Sequence, residues 1–225
     1  YNSTFESYAG NDSGFAVSWQ NISLAPGQSK TFSIIVGVGE AADAPKFNPD
    51  NPLSFDVTGY EANKSIKVTA KVTDTAGRVD SLYYDVNGTG ESLLTSVTAT
   101  GNETTMEEDI DLSSFSNGVY IFRFWLLNDA GASSGVVERK ITIYRGSVYV
   151  GDDAPEIENY TVTFSGGEGA AGIAPTQADT FEGNTFVLPE NTFTKENHTF
   201  AGWSDGTNIY QAGDTYTMPA HNVTF

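Results

Sequence analysis

Between Pro52 and Arg145 the chain divides into seven short runs of alternating apolar and polar residues. They fall near 53–58, 65–74, 80–87, 92–100, 104–111, 118–128 and 135–144, with turn-forming residues between them. A period of two sends successive side chains to opposite faces, so each run can cover a core with one face and meet water with the other. Ile66, Val68, Ala70 and Val72 make one such row, and Leu82, Tyr84 and Val86 a second. Tyr120, Phe122, Phe124 and Leu126 make a third, with Ile121 and Trp125 on its opposite face. No segment longer than a turn or two carries the 3.6-residue period of a helix.

The chain is therefore expected to be mainly all-β. The number and rhythm of the runs predict an immunoglobulin-like or fibronectin-type β-sandwich over 53–146. The stretch from Asp111 to Tyr120, followed by Asn128-Asp129-Ala130-Gly131, resembles the last corner and hairpin of bacterial Ig-like surface repeats, with Tyr120 placed to serve as a tyrosine corner. Cysteine is absent, which removes disulfide scaffolds and thiol chemistry. The sandwich must rest on packing alone.

Two linkers are expected. Residues 41–52 carry Pro45, Pro49 and Pro52 in a stiff composition, and 147–158 contain Gly151-Asp152-Asp153-Ala154-Pro155. Residues 1–40 hold two further strand patterns, Gly14–Gln20 and Thr31–Val38. About 40 residues make too small a core to stand alone, so these are expected to be closing strands of an upstream β-sandwich. The chain opens on Tyr1, shows no signal peptide, and is expected to be a mature product or a window of a longer polypeptide.

The last segment, 159–225, follows a different rule. After Tyr160-Thr161-Val162-Thr163-Phe164 come Gly183, Phe186-Val187-Leu188-Pro189, Phe200-Ala201-Gly202-Trp203, Tyr210-Gln211-Ala212-Gly213-Asp214, Met218-Pro219 and Asn222-Val223-Thr224-Phe225. From Tyr160 onward this resembles the Listeria–Bacteroides repeat, or internalin-type B repeat, a small β-grasp-like module of microbial surface proteins. The resemblance implies an extracellular spacer or adhesive module rather than an enzyme, with Trp203 in its core. Family members continue into an Ala-x-Trp that is missing here, which implies a module incomplete at its C-terminus.

Twenty-nine acidic residues against 11 basic give a net charge of -18. Nucleic acid is a poor partner for such a chain, because phosphate neutralisation needs Lys and Arg. No run of about 18 apolar residues exists to cross a membrane as a helix. Nine Asn-x-Ser/Thr acceptors occur, at Asn2, Asn11, Asn21, Asn63, Asn87, Asn102, Asn159, Asn197 and Asn222. The composition would yield about three by chance, so the excess points to N-glycosylation outside the cell. It favours a eukaryotic microbe or an archaeon over a Gram-positive bacterium.

Chemistry-bearing constellations are sparse. His198 and His221 have no carboxylate at ligand spacing, and both are expected in exposed loops. Gly37-Val38-Gly39 and Ser165-Gly166-Gly167-Glu168-Gly169 lack the residues of a dinucleotide or phosphate cradle. The acids Glu107, Glu108, Asp109 and Asp111 read as a solvated strand rather than a glycosidase pair, which needs two carboxyls across a cleft. Calcium is the one cofactor weighed, with Asp152 and Asp153 as first ligands near Asp74 or Asp129. Trp19 and Trp125 lie on strands and are expected to pack half-buried, with stacking on a sugar ring as the alternative.

The sequence reading is thus a non-catalytic extracellular surface protein, a β-module array that holds distance or adheres. Its partners would be other modules of the same or neighbouring chains, or a host or cell-surface ligand. Two alternatives stay open: accessory modules of a large secreted hydrolase, and a fibre or homo-oligomer assembled by β-strand complementation.

Overall fold

The structure is a computed structural model and describes residues 44–225. The strand patterns expected within 1–40, and Asn2, Asn11, Asn21 and Trp19 with them, lie outside the described residues. From Lys46 onward the chain is built of strands, with a single one-turn helix at Tyr60–Asn63.

Nine strands form two antiparallel sheets. In the first, β1 (Lys46–Phe47) and β2 (Leu53–Asp56) pair with one edge of β3 (Ser65–Thr73). In the second, the sequential strands β4 (Val79–Val86) and β5 (Glu91–Thr98) sit at one side. The chain then returns to the first sheet, where β6 (Thr104–Asp111) takes the other edge of β3. It crosses again to β7 (Gly118–Asn128), β8 (Val137–Tyr144) and β9 (Ser147–Val150), giving the order β5-β4-β7-β8-β9. All seven expected strands are present, each within about two residues of its expected limits.

The inward rows read from the sequence meet in one core. Ile66, Val68, Ala70 and Val72 of β3 are fully buried, as are Leu82 of β4 and Phe122, Phe124 and Leu126 of β7. Met106 and Ile110 of β6 and Ile141 and Ile143 of β8 complete the cluster. Burying each large apolar side chain contributes roughly 1.5–3 kcal/mol, which is how a sandwich without cross-links holds. Tyr120 does form the corner: its hydroxyl donates to the Ser116 carbonyl at 3.0 Å.

Two short strands fall where the sequence suggested linker. β1 occupies part of 41–52, and β9 opens 147–158. The reason for β9 is local. Arg145 and Gly146 adopt φ of 50° and 80°, a two-residue hairpin turn whose twist matches the flanking strands, and Ser147-Val148-Tyr149-Val150 alternates well enough to extend the sheet.

Residues 159–225 contain no helix and no strand longer than three residues. Five two-stranded ladders close the module: 159–160 with 180–181, 171–172 with 193–194, 185–187 with 215–217, 203–204 with 209–210, and a parallel pair joining 162–163 to 223–224. Its separate core holds Val162, Phe164, Phe186, Leu188, Trp203, Tyr216, Met218, Val223 and Phe225. Trp203 sits at the centre. Its ring meets the Phe164 ring edge-on at 4.8 Å, and its indole N–H donates to the Pro189 carbonyl at 2.8 Å. Gly202 before it has φ +143°, and a Cβ there would stand 2.6 Å from the Tyr210 carbonyl oxygen, so the motif accepts only glycine at that point.

Candidate functional site

The six acceptor asparagines within the described residues, Asn63, Asn87, Asn102, Asn159, Asn197 and Asn222, are all exposed. They are spread over both parts of the molecule and converge on no site. Two are structurally engaged through their side-chain oxygens: Asn87 Oδ1 accepts the Ile121 N–H at 2.8 Å, and Asn222 Oδ1 accepts the Thr161 N–H at 2.9 Å.

Asp152 and Asp153 are exposed as well. Asp152 is bonded to Lys140 at 2.8 Å, which holds its carboxyl below the usual aspartate range. Asp74 is instead bonded to Asn128, and Asp129 pairs with Arg78 at 3.4 Å. Among the described residues no three His, Cys, Asp or Glu side chains are grouped to hold a metal ion. The two histidines are exposed, with Nδ1 of His198 and His221 bonded to the carbonyls of Glu196 and Asn222. Glu107, Glu108 and Asp109 are all exposed along β6.

A half-open cleft of about 450 Å³ opens in the C-terminal module, walled by Phe193, Phe200, Trp203 and Phe225 and lined also by Lys195 and His198. Among the described residues no acidic side chain lines it, and none there supplies the paired carboxyls of glycoside hydrolysis. Trp125 is half-buried, and its ring stacks on Tyr83 at 5.9 Å with 12° between planes.

The most fully built polar constellation is one that local sequence patterns do not show. Where the C-terminal module meets the sandwich, Asn184 pairs with the backbone of Asn117 as a neighbouring strand would. Its Oδ1 accepts the Asn117 N–H and its Nδ2 donates to the Asn117 carbonyl, both at 2.8 Å. Asn117 answers by donating from Nδ2 to the Glu182 carbonyl at 2.7 Å, while its Oδ1 accepts the Arg145 N–H at 3.2 Å. Around this exchange the Glu182 carboxylate accepts two bonds from Arg145 Nη2, at 2.8 and 3.0 Å, and one from the Tyr144 hydroxyl at 2.7 Å. The Tyr144 hydroxyl first, then Arg145, hold the Glu182 carboxyl below its ordinary value. Gly183, between the two contact residues, has φ +80°, and a Cβ there would stand 3.0 Å from Asn117 Nδ2. The contact therefore selects glycine at the tip of the turn. Five side chains from three separate stretches of the chain thus form one interlocked junction, and what it can do is fix an orientation.

Residues 160–225 match the family model of the Listeria-Bacteroides repeat domain. The C-terminal module is such a repeat. Repeats of this family occur in bacterial surface proteins. A search of curated proteins found no match to the chain.

Proposed function

We propose that this chain is a non-catalytic structural part of an extracellular surface protein, in which the sandwich and the repeat act together as one stiff spacer. The observation that carries this reading is the junction at Asn117, Tyr144, Arg145, Glu182 and Asn184. A flexible tether would need no reciprocal side-chain-to-backbone exchange, whereas a spacer that sets distance gains from each bond in it. The strand directions agree. Lys46 pairs with Thr73 at the far end of β3, and the repeat docks beside Gly118 and Tyr144 at the opposite end of the sandwich. The chain is thus led along the long axis of the sheets. The acidic surface, with its distributed acceptor asparagines, would keep such a spacer from associating through its sheet edges. Other modules of the same or neighbouring chains are the natural partners.

The test is rotational diffusion by NMR relaxation on the whole chain. Sandwich and repeat amides should report one common tumbling time, and Asn184→Ala combined with Glu182→Ala should split it into two. Independent tumbling in the unaltered protein would refute the spacer reading.

A further inference from the structure

Asp80 is an acid in an inward position. It lies near the start of β4, two residues before Leu82 on the same face, and its side chain is fully buried. Neither of its carboxyl oxygens meets a hydrogen-bond donor. Asp74, at the end of β3 and 7% exposed, is supplied on both sides: Oδ1 accepts the Thr75 N–H at 2.6 Å and Oδ2 accepts from Asn128 Nδ2 at 2.8 Å. Asn128 is fixed in turn, since its Oδ1 accepts the N–H groups of Ala130 and Ala132. Of two neighbouring buried acids, one is solvated by donors and the other has none.

Among the described residues the surrounding charges offer Asp80 no relief. Asp129, on the turn after β7, adds a second negative charge, and its own counter-ion Arg78 pairs with it on the exposed side. From β5 the residue opposite Asp80 is Val97, which brings no charge. A buried carboxylate with no donor is strongly disfavoured, whereas a carboxylic acid beside a carboxylate supplies its own donor.

We infer that Asp80 is kept as a neutral carboxylic acid whose O–H donates to the Asp74 carboxylate, so that one shared proton closes the end of the sandwich away from the repeat. Burial first, then Asp74 and Asp129, push the Asp80 carboxyl up to about 7. For Asp74 burial acts upward too, but the bonds from Asn128 and the Thr75 amide outweigh it and hold that carboxyl below the ordinary range. Asp74 directly follows β3 of one sheet and Asp80 belongs to a strand of the other, so the proton ties the chain crossing between them to Asn128 at the end of β7. A divalent cation in its place would need about six oxygens or more, and among the described residues no three acids are grouped to hold one, Asp129 being paired with Arg78.

The sign of the pH dependence follows. Folded Asp80 keeps a proton that an unfolded aspartate gives up near 3.8, so its contribution is whole below that value and is lost as pH rises to about 7. Thermal unfolding of the full chain between pH 5 and 8.5 should show the sandwich midpoint falling by roughly 5–10 °C, and the fall should vanish in Asp80→Asn. Carboxyl-carbon NMR of the unaltered protein should show one aspartate titrating near neutrality, a readout that survives even if the variant does not fold. Titration of Asp80 in the ordinary aspartate range would overturn the inference. So would a calcium-induced rise in the midpoint at pH 8 that Asp80→Asn abolishes, since a cation would then occupy the proton's place.

Discussion

The sandwich and the repeat solve the problem of folding without cross-links in opposite ways. In the sandwich, six strands run eight residues or more, from β3 with nine and β7 with eleven to β4, β5, β6 and β8 with eight, and backbone ladders bring apolar rows together almost by register alone. In the repeat no ladder exceeds three residue pairs, and order comes from side chains. Phe164, Phe225, Tyr210 and Tyr216 pack edge-to-face or stacked within 4.8–6.3 Å around the buried indole of Trp203. A long strand tolerates the loss of a side chain because its neighbours keep the register. A module built on an aromatic knot has no such reserve.

Substitutions should expose that difference. Trp203→Ala should have the largest effect, removing about 3–5 kcal/mol from a module of 66 residues and abolishing its calorimetric transition while that of the sandwich persists. Joint loss of both transitions would mean that the two parts are one cooperative unit. Phe124→Ala deletes a side chain as deeply buried and should cost the sandwich a similar 3–5 kcal/mol, yet denaturant titration should still find it folded. Asn184→Ala strips the Asn117 backbone of two partners and should lower the repeat midpoint by about 1–2 kcal/mol without altering the sandwich core. Tyr120→Phe removes a single hydroxyl bond and should cost the sandwich about 1 kcal/mol, leaving the repeat untouched.

Acid should loosen the junction, and the depressed Asp74 carboxyl at the far end titrates with the same sign. The folded-state value of Glu182 is depressed, so its contribution is present above the ordinary glutamate value of 4.5 and is lost as pH falls below it. Asp80 carries the opposite sign. An acid-driven loosening of the repeat that is missing in Glu182→Gln, measured by hydrogen exchange, would separate the two ends.

The sandwich was legible because its signal is periodic. Ile66 to Val72 and Phe122 to Leu126 declare their inward face by alternation, and the Tyr120 corner by its place in a corner motif. The repeat was legible only as spaced motifs, because two-residue strands have no period to read. The junction left no local trace: Asn117-Gly118 lies in the corner motif and Gly183 among the spaced repeat motifs, and nothing in either announces a partner some 65 residues away. Asp80 was half legible. Its position continues the inward row of Leu82, Tyr84 and Val86, but its want of donors beside a well-supplied Asp74 depends on other strands.

The path of the chain through the junction bears on how the molecule would behave under tension. β9 runs back from its turn and is joined to the repeat through Gly151 onward, so a pull on the repeat carried by that connection alone would peel β9 from β8 one bond at a time. With Glu182 and Asn184 clasped to Arg145 and Asn117, the pull enters instead at the root of β7, the central and longest strand, and loads many ladder bonds in parallel. The clasp thereby shields this short seam from being unzipped.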